Sequence, residues 1–298
     1  MRLWVSSQDY LNDIVVSEER INKLGETYRA IRNALRYQLS NLYDFDPAKH
    51  KVEDKDLTGL DRWILGEFAK LEAEVLAAYD QYEFHVVYQK ISQFVAVELS
   101  SVYHDVIKDR LYTDAANSPR RRSTQTALHR LVTGLCQMLA PILAFTADEA
   151  WEFVPGKPTG SVHESEFKLT KFSVLQGNDV RERWQPIFDW KLLFEKRALL
   201  LTHLETERKA KIIGKSLDAK IQLHETDPLL KHNVINEFRE LVNVSQIAVT
   251  KDRDAKLVVH ADGQKCERCW HWETDIGQNA GYPTICGRCA EAVKQFKA

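Results

Sequence analysis

The chain has 298 residues, 41 Lys and Arg against 43 Asp and Glu, a formal net charge of -2 and 44% hydrophobic residues. That composition excludes disorder as an overall description, and the near balance of charge excludes a uniformly basic nucleic-acid wrapper while leaving a local basic surface open. The length suffices for two or three domains, each burying a core of its own.

The opening MRLWVSSQDYLND turns polar within ten residues, and no apolar run of membrane-spanning length follows. Neither a secretory signal nor a membrane span is read, and a cytoplasmic location is expected. Ser17 is placed to cap a helix with Glu18 and Glu19 in its first turn, and Ile21, Leu24, Tyr28, Ile31 and Leu35 follow at helical spacing. Leu60, Ile64, Phe68, Leu71, Val75 and Tyr79 repeat the pattern, as do Val87, Ile91, Phe94, Val95, Val102 and Val106. Ser118-Pro119 opens a further helix through Leu128, Leu131, Leu135 and Leu139 that Pro141 kinks or ends. Thr146 with Glu149 reads as a capping box before AWEFV. Long helices with almost no strand signal predict a mainly α architecture, an antiparallel helical bundle over 1–160.

VPGKPTGSVHES (154–165) reads as a surface connection and a boundary. Beyond it a helix is expected with Trp184, Phe188, Leu192 and Leu199 on its apolar side; then Ala219, Ile221 and Leu223 alternate as in a strand. Residues 228–242 look helical, and QIAVT and KLVVH look like strands, so a helix plus a small α/β unit is expected over 161–260.

The remaining segment, 261–298, carries four of the five cysteines: Cys266-x-x-Cys269 and Cys286-x-x-Cys289, separated by 16 residues. This is the spacing of a structural zinc site, in which two tight turns each aim two thiolates at one ion and complete a tetrahedron that leaves no position for catalytic water. One structural Zn2+ is therefore expected, and a segment this short should draw much of its folding free energy from it. Lys265, Arg268 and Arg288 lie beside the sulfurs in sequence and would offset the charge of a zinc tetrathiolate. Trp270 and Trp272 follow the first pair; indoles on so small a module either stack on nucleic-acid bases or pack on a neighbouring domain. Cys136, in LVTGLCQMLA, reads as a buried core thiol.

Arg29, Arg32 and Arg36 share one helix side, and Arg120, Arg121 and Arg122 cluster at a helix start; either set could grip phosphate or simply be solvated. Gly214-Lys215-Ser216 resembles the end of a phosphate loop, but Lys209 stands where that pattern needs glycine and a strand follows instead of a helix. No spacing of His, Asp and Glu picks out a nucleophile or an acid-base pair, so no active site is read.

"YRAIRNALRYQLSNLYDF" (28–45), "SVYHDVIKDRLYTD" (101–114) and "PILAFTADEAW" (141–151) resemble the anticodon-binding helical domain of class I aminoacyl-tRNA synthetases. "IGKSLDAK" (213–220) and the terminal "CERCW…CGRC" resemble the bacterial isoleucyl-tRNA synthetase family in particular. The resemblance implies that bundle and zinc tail bind the anticodon stem-loop of isoleucine tRNA, with Cys266, Cys269, Cys286 and Cys289 as zinc ligands and Arg268 and Trp270 as anticodon-loop contacts. It also implies a catalytic domain of the same parent chain that uses ATP and isoleucine; its signatures are not in this sequence, so "RLWVSSQDY" is expected to lie inside a longer, monomeric protein. The alternative is a structural clamp that stabilises the synthetase without reading bases.

Overall fold

The computed structural model describes residues 1–14, 16–167, 190–232 and 234–297; the expected contributions of Trp184 and Phe188 lie outside the described residues. The chain divides into two compact units, one of residues 1–105 and 119–177, the other of residues 106–118 and 178–298.

The first unit is helical: α1 (Arg2–Ser6), α2 (Glu18–Ser40), α3 (Pro47–His50), α4 (Gly59–Asp80) and α5 (Phe84–Phe94), followed by a π-helical stretch at Val95–Tyr103. α6 (Lys108–Thr113) belongs to the second unit, and α7 (Pro119–Leu139) and α8 (Ala144–Glu152) return to the first. α7 packs on α2, α4 and α8. Ser17 caps α2 as expected, its hydroxyl accepting from the Arg20 N–H at 3.3 Å. The buried seam of α2 begins only at Ile31; Ile21, about three turns earlier on the same spacing, is exposed. Along α4 the predicted stripe is buried from Leu60 to Val75.

The continuous helix expected through Val95 and Val102 instead widens into nine residues of π-helix. There Val95, Leu99 and Tyr103 recur every fourth residue and are all buried, a period that suits the wider turn, and the Ser100 hydroxyl donates to the Val95 carbonyl at 2.7 Å, five residues back. Beneath it Asp61 of α4 is fully buried, accepting from Tyr103 Oη (2.6 Å), Ser123 Oγ (2.6 Å) and Thr58 Oγ1 (2.7 Å). One carboxylate thus ties α4, the π-helical stretch and α7 together, its lone pairs satisfied as burial requires.

Thr146 does not cap a helix. α8 starts two residues earlier with no side-chain cap, and Thr146 meets Tyr28 Oη at 3.0 Å while Glu149 pairs with Arg32. The capping box of this region is Ser161 with Glu164, around a short 3₁₀ turn whose Ser161 hydroxyl and Val162 N–H donate to Asp148 at 2.6 and 3.0 Å. The Thr146–Glu149 spacing suggested the wrong start because Leu143, one residue before the helix, has no cap chemistry to announce it.

In the second unit α9 (Trp190–Lys209) buries Leu193, Leu200 and Leu204. Leu199, expected on the apolar side, is exposed, so the buried seam is turned by one residue. β1 (Ala219–His224) alternates buried and half-buried residues, α10 (Ile235–Val242) crosses over, and β2 (Gln246–Thr250) lies parallel to β1. Asn243 ends α10 in the left-handed region (φ 59°), a short polar side chain where that conformation is tolerated. β3 (Val258–His260) pairs antiparallel with β1 on its other side, giving the order β2-β1-β3. The predicted strand-helix-strand-strand order stands. β4 (Gln264–Lys265) and β5 (Trp272–Glu273) then form a small hairpin, and α11 (Gly287–Lys297) closes the described chain.

Candidate metal centre and nucleic-acid interface

The hairpin β4-β5 carries the first cysteine pair in its turn, and the second pair opens α11. In the first turn the Trp270 N–H donates to the Cys266 carbonyl at 2.9 Å; in the second the Ala290 N–H donates to the Cys286 carbonyl at 2.9 Å, so each C-x-x-C bends both thiols to one side. All four cysteines are buried and their sulfur atoms lie within 4.8 Å of one another. Cys269 Sγ and Cys286 Sγ are 3.8 Å apart. A tetrahedron of Zn–S bonds has sulfur-sulfur edges of about 3.8 Å, so the donor set fits zinc in both chemistry and size. Ile276 and Ile285 pack against the cluster. The Cys266 thiol is brought down to about 7: burial opposes ionisation, but backbone N–H groups of Cys269, Cys286 and Arg268 outweigh it. Cys136 stands apart, fully buried in α7 and pushed up to about 12 by burial, an inert core thiol.

The charged residues around the cysteines turn to α6. Arg288 makes a bidentate pair with Asp109 (2.5 and 2.8 Å), and Arg268 donates to the Thr113 carbonyl. His271 Nε2 stands 3.8 Å from Asp109. Burial disfavours the Arg288 charge, but Asp109 overrides that and holds the guanidinium strongly protonated. Both arginines also lie against cysteine sulfur, Arg268 at Cys289 and Arg288 at Cys269, as the sequence suggested for charge compensation. Lys265 is exposed in β4.

Trp270 is the aromatic residue this module presents. Its backbone is left-handed (φ 65°) and the residue is 57% exposed, a large indole held out on a strained turn. Trp272 is committed inward: its indole N–H donates to Asp218 Oδ1 at 2.9 Å and its ring meets His260 edge-on at 4.5 Å.

On the helical unit Arg29, Arg32 and Arg36 are exposed along α2. Arg32 is engaged by Glu149 through hydrogen bonds of 2.6 and 2.9 Å. Arg36 has no partner among the described residues and lies on a cleft of about 280 Å³ between α2 and α8, whose wall includes Leu39, Ala150 and the exposed ring of Phe153. Sequence reasoning missed this cleft, because Leu39 lies far in the chain from Ala150 and Phe153 and meets them only where α2 and α8 pack. The second arginine set is largely structural: Arg121 is buried against Asp44 (2.6 and 2.9 Å), and Arg122 donates to the Asp44 carbonyl and to Gln125. Neither is available to phosphate, and the pairing also offsets the unfavourable helix dipole at that end.

Residues 61–223 match the family model described as the anticodon-binding domain of tRNA ligase. The chain belongs to that family. Residues 263–292 match a second model, a zinc finger found in FPG and IleRS, which agrees with the cysteine geometry. The chain is 40% identical to an isoleucine–tRNA ligase of Sodalis glossinidius over 98% of its length, covering 32% of that protein. It is 38% identical to that of Desulfitobacterium hafniense over 99% of its length (33% of that protein), and 40% identical to that of Syntrophotalea carbinolica over 97% (32%). The chain therefore spans about a third of the length of the curated relatives it matches. No helix among the described residues is long and apolar enough to cross a membrane.

Proposed function

We propose that this chain is the tRNA-reading part of an isoleucine–tRNA ligase. It binds the anticodon stem-loop of isoleucine tRNA, while a catalytic domain elsewhere in the same parent protein uses ATP to make isoleucyl adenylate and transfers the amino acid. The chain itself performs no chemistry; it acts in the cytoplasm as part of a monomeric enzyme. Its zinc is structural, held by Cys266, Cys269, Cys286 and Cys289, and it fixes the turn that presents Trp270.

The observation that carries this reading is Trp270: an exposed indole in left-handed backbone, on the turn that carries the first cysteine pair. Anticodon bases are splayed from the loop, and a rigid indole is a platform on which one of them stacks. The cleft beside Arg36 and Phe153 supplies a second surface, a cation next to an exposed ring, on the helical unit; Arg29 lines the same helix and would hold phosphate, whereas Arg32 would have to leave Glu149 to do so. In this reading Arg268 supports the turn through Thr113, and Trp272 holds the module to the sheet, more than either contacts RNA.

A second reading, a clamp without base readout, draws on Arg268, His271 and Arg288, which all face α6. Substituting Trp270→Ala separates the two. The RNA-reading role predicts a loss of about 1–3 kcal/mol in tRNA affinity with zinc content and melting unchanged. Unchanged affinity would leave the clamp.

A further inference from the structure

The IGKS stretch is not a phosphate loop, and the reason lies in its hydrogen bonds. The backbone N–H groups of Gly214 and Lys215, which such a loop offers to phosphate, donate to Asp218 Oδ2 at 3.1 and 2.8 Å. The same carboxylate accepts the Trp272 indole N–H on Oδ1. Asp218 thus ties the turn at 213–216 to the strand that leaves the first cysteine pair. Two residues before Trp272, the consequence is a contact: the Lys215 ammonium stands 5.7 Å from the centroid of the Trp270 ring.

Both side chains are exposed, and Lys215 has no carboxylate partner among the described residues. Lys209 and Lys211 stand exposed just before it, where Lys211 in the left-handed region (φ 60°) turns the chain out of α9. A local basic surface therefore sits beside the one exposed indole of the zinc turn, in a chain of near-zero net charge.

We propose that Lys215 and Trp270 form a clamp for one nucleotide of single-stranded RNA. The base stacks on the indole face that Lys215 leaves open, and the ammonium takes the phosphate adjoining that base. A duplex offers no unstacked base for the ring, so the ligand is a loop or end. The inference rests on the RNA-reading role proposed for Trp270 and adds to it a residue, Lys215, that sequence reasoning set aside with a failed motif.

The test is a titration of the zinc-loaded chain with a labelled anticodon stem-loop of isoleucine tRNA, across salt from about 50 to 200 mM. Lys215→Gln, at an exposed site, leaves the fold intact; it should weaken binding and reduce the salt slope by about 0.7, the value for one phosphate on a single strand. Lys215→Arg should keep the slope. Trp270→Ala should weaken binding by roughly five- to 150-fold with the slope unchanged, and the double variant should lose less than the product of the single losses. Wild-type affinity and slope in Lys215→Gln, or losses that simply multiply, would overturn the clamp while leaving Trp270 as a lone platform. Wild-type binding by Trp270→Ala would overturn both.

Discussion

Arg110 and Glu240 meet through two parallel hydrogen bonds, Nε to Oε1 and Nη2 to Oε2, each 2.5 Å, with the guanidinium side chain 2% exposed and the carboxylate side chain 14% exposed. The pair joins α6 to α10, residues 130 apart in sequence, inside the second unit. α6 is thus gripped from one side by α10 and from another by the arginines of the zinc turn.

Removing one member of such a pair strands a buried charge. Arg110→Ala should destabilise the second unit by about 3–5 kcal/mol in denaturant melts, whereas the double variant Arg110→Met, Glu240→Leu should recover most of the loss. A loss below about 1 kcal/mol in the single variant would mean that the pair is in effect solvated.

Zinc removal should act on α6 as well as on the tail. With a chelator, the four thiols lose their common ligand and the turn that carries Arg268 loosens, so hydrogen exchange should speed up over 261–297 and over Lys108–Thr113, while α4 and α7 stay protected. Unchanged exchange in the tail after proven metal loss would contradict the zinc reading.

Gly134 on α7 allows a close approach to α4. A Cβ there would lie 2.7 Å from the Phe68 ring and 2.9 Å from Glu72 Oε1, both buried. Gly134→Ala gains about 1 kcal/mol of helix propensity, but overpacking of about 1–3 kcal/mol should win. A net loss of about 1 kcal/mol is expected in thermal or chemical melts; a more stable variant would show that Phe68 can move aside.

The helical unit should weaken on mild acidification through His129. Its ring donates from Nε2 to the Pro155 carbonyl at 2.8 Å; burial, with Lys51 and Arg130 nearby, holds its pKa below the ordinary value of 6.5 despite that bond. The unfolded chain therefore binds the proton first, so the stability held above about pH 6.5 is lost as pH falls through the folded value. His129→Gln should flatten that part of the pH-stability curve, followed by melts of the wild type and variant between about pH 7 and pH 5.

Patterns written in adjacent residues were legible. The two C-x-x-C pairs, the Ser17 cap, the α4 stripe and the alternation of β1 each depend on local spacing, and each stands in the structure. Relationships set by distant partners were not. Nothing near Arg121 announces Asp44, nothing near Arg32 announces Glu149, and KDRLY gives no sign that its helix joins the second unit. The π-helical stretch was hidden because Val95 and Val102 also fit an ordinary helix, and the difference lies in Leu99 and the serine hydroxyls. For the site, the convergence of the four cysteines was readable, but whether either indole stays exposed was left open, and the separate fates of Trp270 and Trp272 depend on Asp218, which no local pattern singles out.

The most direct measurement titrates the zinc-loaded chain against labelled isoleucine tRNA and against the same tRNA with its anticodon replaced, at one fixed near-physiological salt. Tighter binding of the native anticodon, by about tenfold or more and lost in Trp270→Ala, is the result expected if these residues read the loop. Equal binding of the two tRNAs would contradict it and leave the chain a sequence-blind support.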